Sequence, residues 1–219
     1  MENGELNPVV LGVGHLAAAA RVQLRAFGLV PSGSADCSAN APHLLLACSD
    51  YANASSFADL NRRAVGQRTR VLFAHLAGER VRVGPLVIPF ESPCFECYLA
   101  RRWDFSLGDN VCRFVTREAC PTFELQNRAR VMAQFGAVVV AREVWGIRFG
   151  ARCGQLIGRV AENDPPSSEV RVVPVERVAG CGVCGNRQRG FSARFASCSA
   201  PGWAAAVRGG LFEIGGGPE

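Results

Sequence analysis

Four cysteines stand in two closely spaced pairs that could bind one metal ion together. Cys94 and Cys97 lie within ESPCFECYLARR, and Cys181 and Cys184 lie within CGVCG. A CxxC turn brings two thiolates to one ion, and two such turns supply the four sulfur ligands of a structural zinc site. Residues 98–180 separate the pairs, which is more than a local zinc finger allows. We therefore expect a zinc ion that joins two distant segments and contributes its binding free energy to folding.

A redox pair and plain buried thiols are the alternatives for the same cysteines. A redox CxxC lies at a helix start after a strand, and the segment FECYLARR that follows Cys94 could be helical. The second pair would have no role in that alternative. The chain has ten cysteines, and Cys48, within an apolar run, is expected to be a small core residue.

A glycine-rich turn near the amino end could hold a nucleotide phosphate. Gly12 and Gly14 follow an apolar run and precede a helical pattern, in a Gly-x-Gly-x-x-Ala arrangement that ends at Ala17. Such a turn lets the backbone approach a phosphate at a helix N-terminus. The alternative is a strand-to-helix turn that needs small residues only for packing. His15, beside the turn, is interpreted as a cap or surface residue rather than a catalyst.

A nucleotide site also needs an acid for the ribose, a carboxylate for magnesium and a cation for the phosphates. Asp36 has the spacing of a ribose acid but lies in the polar segment PSGSADCSANAP. Asp50, directly after the apolar run HLLLAC, is the candidate magnesium carboxylate. Arg62 and Arg63, on the next predicted helix, are candidate phosphate clamps. Asp50 and Arg63, with the two glycines, are therefore the expected cofactor-binding residues, and no residue is assigned as catalytic.

The elements that would position these residues alternate between strands and helices. The predicted strands are 9–13, 43–48, 70–77, a hairpin-like pair at 79–83 and 85–90, and two more in CGQLIGRVAEND and SSEVRVVPVERV. Helices are predicted after the glycine turn, over 55–67, and from Pro121 through AREVWGIRFG. This order predicts an α/β fold with a truncated, Rossmann-like, mostly parallel sheet and a carboxyl-terminal strand pair. We expect one domain over 1–186 and an appendage over 187–219.

The composition of the chain argues against nucleic-acid and membrane partners. The net charge is +5 and the chain has no lysine, so its basic residues are arginines, which form no run typical of a nucleic-acid arm. The amino-terminal MENGELNPVV lacks the basic region of a signal peptide. The apolar segment VMAQFGAVVVA is shorter than the roughly 20 residues of a membrane span, so it is expected to be a buried core helix. We therefore expect a cytoplasmic protein without nucleic-acid or membrane partners.

The order of these motifs resembles the ThiF/MoeB-like proteins of the ubiquitin-activating-enzyme-like superfamily. The segments GPLVIPFESPCFECYLARR, AREVWGI and the terminal CxxCG are similar to the branch found in azole-forming peptide maturation clusters. The resemblance covers about residues 8–186. It implies a structural zinc held by the two CxxC pairs and homodimerisation through the sheet domain. It also implies work beside a YcaO-type ATP-dependent cyclodehydratase on a ribosomally synthesised precursor peptide.

Two departures from the family pattern bear on function. Active adenylating members have, after their second strand, an acid pair and a segment with an Asn-Leu-x-Arg-Gln type motif that grips ATP. Here only residues 31–42 separate the first helix from the HLLLAC run, and no clamp lysine is present. This departure argues against ATP and magnesium as cofactors and against adenylation by this chain. The chain also begins almost at its first strand, so we expect no winged-helix module for the precursor's leader.

Three functions follow as hypotheses. The first is an accessory, non-catalytic subunit that supports a YcaO-type partner in azoline or thiazole formation. The second is an ATP-dependent adenylyltransferase that activates a peptide or carrier-protein C-terminus, with Asp50 holding magnesium. The third is a nicotinamide- or flavin-dependent oxidoreductase that uses the glycine turn, and the poor ribose acid and the two zinc knuckles argue against it.

Overall fold

The computed structural model describes eight stretches of the chain, and Asp36, the poor candidate for a ribose acid, and the expected appendage 187–219 lie outside them. The described residues are 6, 8–31, 44–51, 54–77, 80–103, 123–149, 155–164 and 169–185. Within them the strands are β1 (Pro8–Leu11), β2 (Leu44–Ser49), β3 (Arg70–Ala77), β4 (Arg80–Val87), β5 (Arg159–Asp164) and β6 (Glu169–Pro174). The helices are α1 (His15–Ala26), α2 (Ala54–Gly66), α3 (Phe95–Trp103) and α4 (Phe123–Phe149).

The six strands form one sheet in chain order, β1 to β6. The pairs β1–β2 and β2–β3 are parallel, and the three later pairs are antiparallel. The predicted α/β class and Rossmann-like sheet are confirmed, with the parallel pairing in the first half of the sheet. The change occurs after β3 because its connection to β4 is too short for the crossover that parallel strands require.

The predicted hairpin at 79–83 and 85–90 is wrong. One strand, β4, runs through Gly84 and Pro85, and its hairpin partner is β3. The register of β3 and β4 shifts here, and neither Gly84 nor Pro85 has a registered partner. An irregularity in the ladder accommodates a proline, which has no backbone N–H to donate.

The helices cover the sheet from both sides. Alternate residues of β2 point into two separate cores: Leu44 and Leu46 pack with α1 and α4, while Leu45 and Ala47 pack with α2 and α3. Every residue of β2 is buried, which confirms the prediction of a buried parallel strand from its continuous apolar run.

The faces of the sheet that α1 and α2 cover depart from the usual pattern for parallel strands. Strands β1, β2 and β3 step across the sheet in one direction, and two right-handed connections would place both helices on the same face. Instead α1 and α2 lie on opposite faces. The carboxyl ends of β1 and β2 are therefore flanked by helices on opposite sides, which is the position where open α/β sheets bind ligands.

A side chain covers the outer edge of β1. The Arg21 guanidinium donates hydrogen bonds to the carbonyl oxygens of Val10 and Gly12, at 3.1 and 3.2 Å. No strand within the described ranges pairs with this edge. Arg21 thus satisfies backbone acceptors that another strand would otherwise bind.

Helix α4 packs one face against α1 and the sheet. Its buried side chains include Ala133, Ala137, Val140 and Val144, as predicted for a core helix, but its opposite face is exposed. A Cβ atom on Gly136 would lie 2.6 Å from a methyl of Val81, so this glycine permits a close approach. No helix in the described part of the chain is long and apolar enough to cross a membrane.

Candidate metal centre and nucleotide loop

The structure brings together the four cysteines that the sequence singled out. The first pair lies at the start of α3, and the second lies in the turn after β6. The Sγ atoms of Cys94 and Cys181 are 3.7 Å apart, those of Cys97 and Cys184 are 3.4 Å apart, and all four lie within 4.8 Å of one another. This group could hold a metal ion.

The geometry of the cluster fits zinc. Four thiolates at about 2.3 Å from a tetrahedral zinc are separated from one another by about 3.8 Å. The observed separations lie close to that value. The cysteines are free, and the Sγ atoms of Cys94 and Cys97 are 3.9 Å apart, far from the roughly 2.05 Å of a disulfide. The close contacts across the two pairs favour a shared ion over a redox role for one pair.

Backbone groups in and before the turn that carries Cys181 and Cys184 support the cluster. The N–H of Gly185 donates to the carbonyl oxygen of Cys181 at 2.9 Å, and a Cβ at position 185 would lie 2.6 Å from that oxygen. The N–H of Val178 donates to the Cys97 sulfur at 3.4 Å. A glycine after the second cysteine is therefore required by the tight turn, and an N–H···S contact orients one ligand.

Helix α2 anchors the first knuckle to the sheet. The side-chain oxygen of Asn61, which is fully buried, accepts a hydrogen bond from the N–H of Phe95 at 3.1 Å. The Phe95 ring packs against Phe57 and Phe73 at centroid distances of 5.5 and 4.5 Å. Sequence reasoning missed Asn61, although a polar residue within the apolar face of α2 was the available signal.

Burial affects the thiols themselves. It raises the pKa of Cys94 to about 11 and also raises the pKa of Cys184. Without a metal these thiols keep their protons at neutral pH, so an ion that binds them as thiolates must displace protons.

The glycine turn lies at the carboxyl end of β1 and has the backbone geometry that the sequence predicted. Gly12 and Gly14 have φ angles of +117° and +97°. A Cβ at Gly12 would collide with the carbonyl oxygen of Cys48, and one at Gly14 would collide with the Asp50 carboxylate. Both positions therefore require glycine.

The carboxylate of Asp50 caps the N-terminus of α1. Its two oxygens accept hydrogen bonds from the N–H groups of His15 and Leu16, at 2.7 and 2.8 Å. These are the orphan N–H groups that attract anions at a helix start. The structure thus joins the glycine turn to Asp50, whose carboxylate accepts two N–H groups of the kind that attract anions at a helix start.

The two arginines predicted as phosphate clamps lie elsewhere. Arg63 is in the last turn of α2, about 14 Å along the helix axis from its first residue. Helix α2 begins four residues after Asp50, so Arg63 lies towards the end of the helix that is farther from Asp50. Arg62 forms ion pairs with Asp59 at 2.8 Å and with Glu96 at 2.6 Å, and so links α2 to α3. The structure brings neither arginine to the glycine turn.

Comparisons with known proteins agree with the predicted resemblance. No protein-family model and no curated protein sequence matches the chain. A heterocyclase in complex with substrate and cofactor superposes with a TM-score of 0.62 and 20% identity, over 84% of this chain and 26% of that chain. The heterocyclase TruD gives a TM-score of 0.60 at 20% identity, over 84% and 28%. MccB of E. coli gives a TM-score of 0.62 at 14% identity, over 85% and 68%.

These neighbours define the fold of the chain. The chain shares the α/β fold of TruD and MccB, which agrees with the fold that the sequence resemblance implied. Other matching MccB structures contain ATP or MccA. The chain spans about a quarter of the length of the heterocyclase chains and about two thirds of MccB.

Proposed function

We propose that this chain is an accessory, non-catalytic ThiF-like subunit of a complex that modifies a ribosomally synthesised peptide. In this role it supports a YcaO-type cyclodehydratase that forms azolines on a precursor peptide by loss of water, the step that precedes oxidation to a thiazole. The similarity in fold to heterocyclases supports the class of reaction. A structural zinc ion on Cys94, Cys97, Cys181 and Cys184 stabilises the subunit, and the subunit acts as a homodimer.

The contact of Asp50 with α1 is the observation that carries the non-catalytic part of this proposal. Two N–H groups that would bind phosphate oxygens are bonded to a carboxylate instead. A nucleotide phosphate would have to displace that carboxylate and then face its charge, and both effects weaken binding. Neither predicted arginine clamp lies at the turn, and the Arg21 guanidinium beside it is bonded to the carbonyl oxygens of Val10 and Gly12.

Reconstitution with a YcaO-type partner and a Cys- or Ser-rich precursor peptide tests the proposal. Mass spectrometry follows the loss of one water for each azoline. We expect product only when this chain and the partner are both present, and equal product when the chain carries Asp50→Asn. The proposal fails if this chain adds nothing to the partner's rate.

An ATP-dependent adenylyltransferase is the second candidate, because the glycine turn and Asp50 lie at the crevice where open α/β sheets bind ligands. In that case Asp50 would leave the helix start and hold magnesium. Peptide-dependent pyrophosphate exchange that is abolished by Asp50→Asn would favour this candidate. The same variant therefore separates the two functions.

A further inference from the structure

Helix α4 carries a row of apolar side chains on the face that points away from the protein. Val131, Val138 and Trp145 recur every seven residues, and Phe149 lies one turn beyond Trp145. Their exposed fractions are 62%, 43%, 39% and 57%. Since seven residues make nearly two full turns, the first three share one face. We call these four residues the outer stripe of α4, and it extends over about 27 Å.

The outer stripe is distinct from the packed face of α4. At 100° per residue, Val138 and Trp145 point roughly 100–160° away from Val140 and Val144, which are fully buried. The rings of Trp145 and Phe149 contact each other at 4.9 Å. Apolar residues on two separate faces of a helix usually indicate that both faces are covered, and the described part of this chain covers only one of them.

The side chains that flank the outer stripe are positively charged. Arg142 lies on one side of it, and Arg130 and Arg148 lie on the other, all exposed. The Arg148 guanidinium lies over the Phe149 ring at 5.5 Å. Among residues 127–149 the single acid is Glu143, which is buried. The surface therefore combines an apolar centre with basic margins.

We propose that the outer stripe of α4 docks an amphipathic helix with acidic margins from a partner protein. Apolar residues of that helix would pack on the stripe at heptad spacing, and its Asp or Glu side chains would pair with the three arginines. This surface is on the outside of α4 and does not include the glycine turn. The proposal does not rest on the accessory function, because an adenylating enzyme could use the same surface.

A second copy of the chain fits this surface less well. An antiparallel pairing of two α4 helices about Val138 would bring Arg148 of one copy near Arg130 of the other. A parallel pairing would place Arg142 beside its own copy. Repulsion between arginines at the margins disfavours either arrangement, whereas the carboxylates of an acidic helix would pair with these arginines.

Fluorescence polarisation with two synthetic helical peptides tests the proposal. Both have about three heptads with leucine at positions a and d; one has glutamate at e and g, and the other has lysine there. We expect the full chain to bind the acidic peptide at least about 10-fold more tightly than the basic one. Val138→Glu should weaken that binding about 10-fold, while Val22→Glu, at a 59% exposed position on α1, should leave it unchanged.

Circular dichroism establishes that both variants keep the helix content of the parent. Equal binding of the two peptides, or acidic-peptide binding that Val138→Glu does not weaken, would overturn the proposal. Sedimentation provides a further check, since self-association that is lost in Val138→Glu would identify a second copy as the occupant and also overturn it.

Discussion

Asp50 does local structural work that can be measured independently of any nucleotide. Its carboxylate accepts two N–H groups at the start of α1. We predict that Asp50→Ala lowers the free energy of unfolding by about 1–2 kcal/mol, the usual loss for a helix cap. Asp50→Asn, which keeps an acceptor oxygen, should lose less. Urea denaturation measures both, and an Ala variant as stable as the parent would show that the cap contributes nothing.

Glu143 gives a prediction about pH. Its carboxyl accepts the N–H of Leu156 at 3.0 Å, and burial raises its pKa. The pKa of Glu143 is therefore higher in the folded state than in the unfolded state. Its contribution to stability is fully present below about pH 4, and it is lost as the pH rises through the folded-state pKa. Glu143→Gln keeps the acceptor without the charge. We therefore predict that the variant is more stable than the parent at pH 7.

The pH dependence distinguishes this account of Glu143 from a packing effect. Denaturation midpoints at several pH values should show the advantage of Glu143→Gln shrinking as the pH falls towards 4. A stability difference that stays constant with pH would mean that the charge of Glu143 does not cause it.

For individual residues, the sequence identified the clustered cysteines and the glycine turn better than it identified the residues that support them. The cysteine pairs and both glycines could be identified because their spacing has a geometric cause. The roles of Arg21 and Asn61 could not, because each bonds to a backbone group that only the folded chain brings near. The same holds for Arg63, whose distance from Asp50 depends on the direction in which α2 runs.

At the scale of elements, the contact of α4 with its neighbours depends on one small residue. A Cβ on Gly136 would meet Val81 at 2.6 Å and Leu16 at 3.1 Å. Gly136→Ala gains about 1 kcal/mol of helix propensity, but overpacking a buried contact typically costs about 1–3 kcal/mol. We predict a net loss of stability in chemical denaturation.

Gln134→Ala is the matched control for Gly136→Ala, because position 134 is exposed on the same helix. It should be neutral or slightly stabilising. If Gly136→Ala were as stable as this control, the close approach of α4 to β4 would not be needed for packing.

The sequence identified most elements but not their arrangement. Apolar runs and turn residues located β2, β3 and α2 because each has a clear local pattern. Periodicity says which residues of a helix are buried, but it does not say which face of the sheet the helix covers. The placement of α1 and α2 on opposite faces, and the continuation of β4 through Pro85, both arise from contacts between distant segments.

At the scale of the whole molecule, the zinc site is predicted to hold the α3 segment to the turn after β6. We predict about one zinc ion per chain in anaerobically purified protein. Cys94→Ser and Cys184→Ser should lose the metal and cooperative thermal unfolding, because metal binding contributes directly to folding. Elemental analysis and melting curves measure the two effects.

Cys48→Ala provides the control for the zinc ligands. Cys48 is also buried, and burial raises its pKa to about 12, but it lies in β2 outside the cluster. This variant should keep its zinc and melt cooperatively. Protein purified without metal that nonetheless unfolds cooperatively at the same temperature would contradict a structural role for zinc.

We propose that the chain does not use its glycine turn for a nucleotide, because Asp50 is bonded to the start of α1. Isothermal titration of the zinc-loaded chain with ATP and magnesium tests this claim most directly. We expect no saturable binding of ATP. Tight, stoichiometric binding of ATP that depends on magnesium would contradict it.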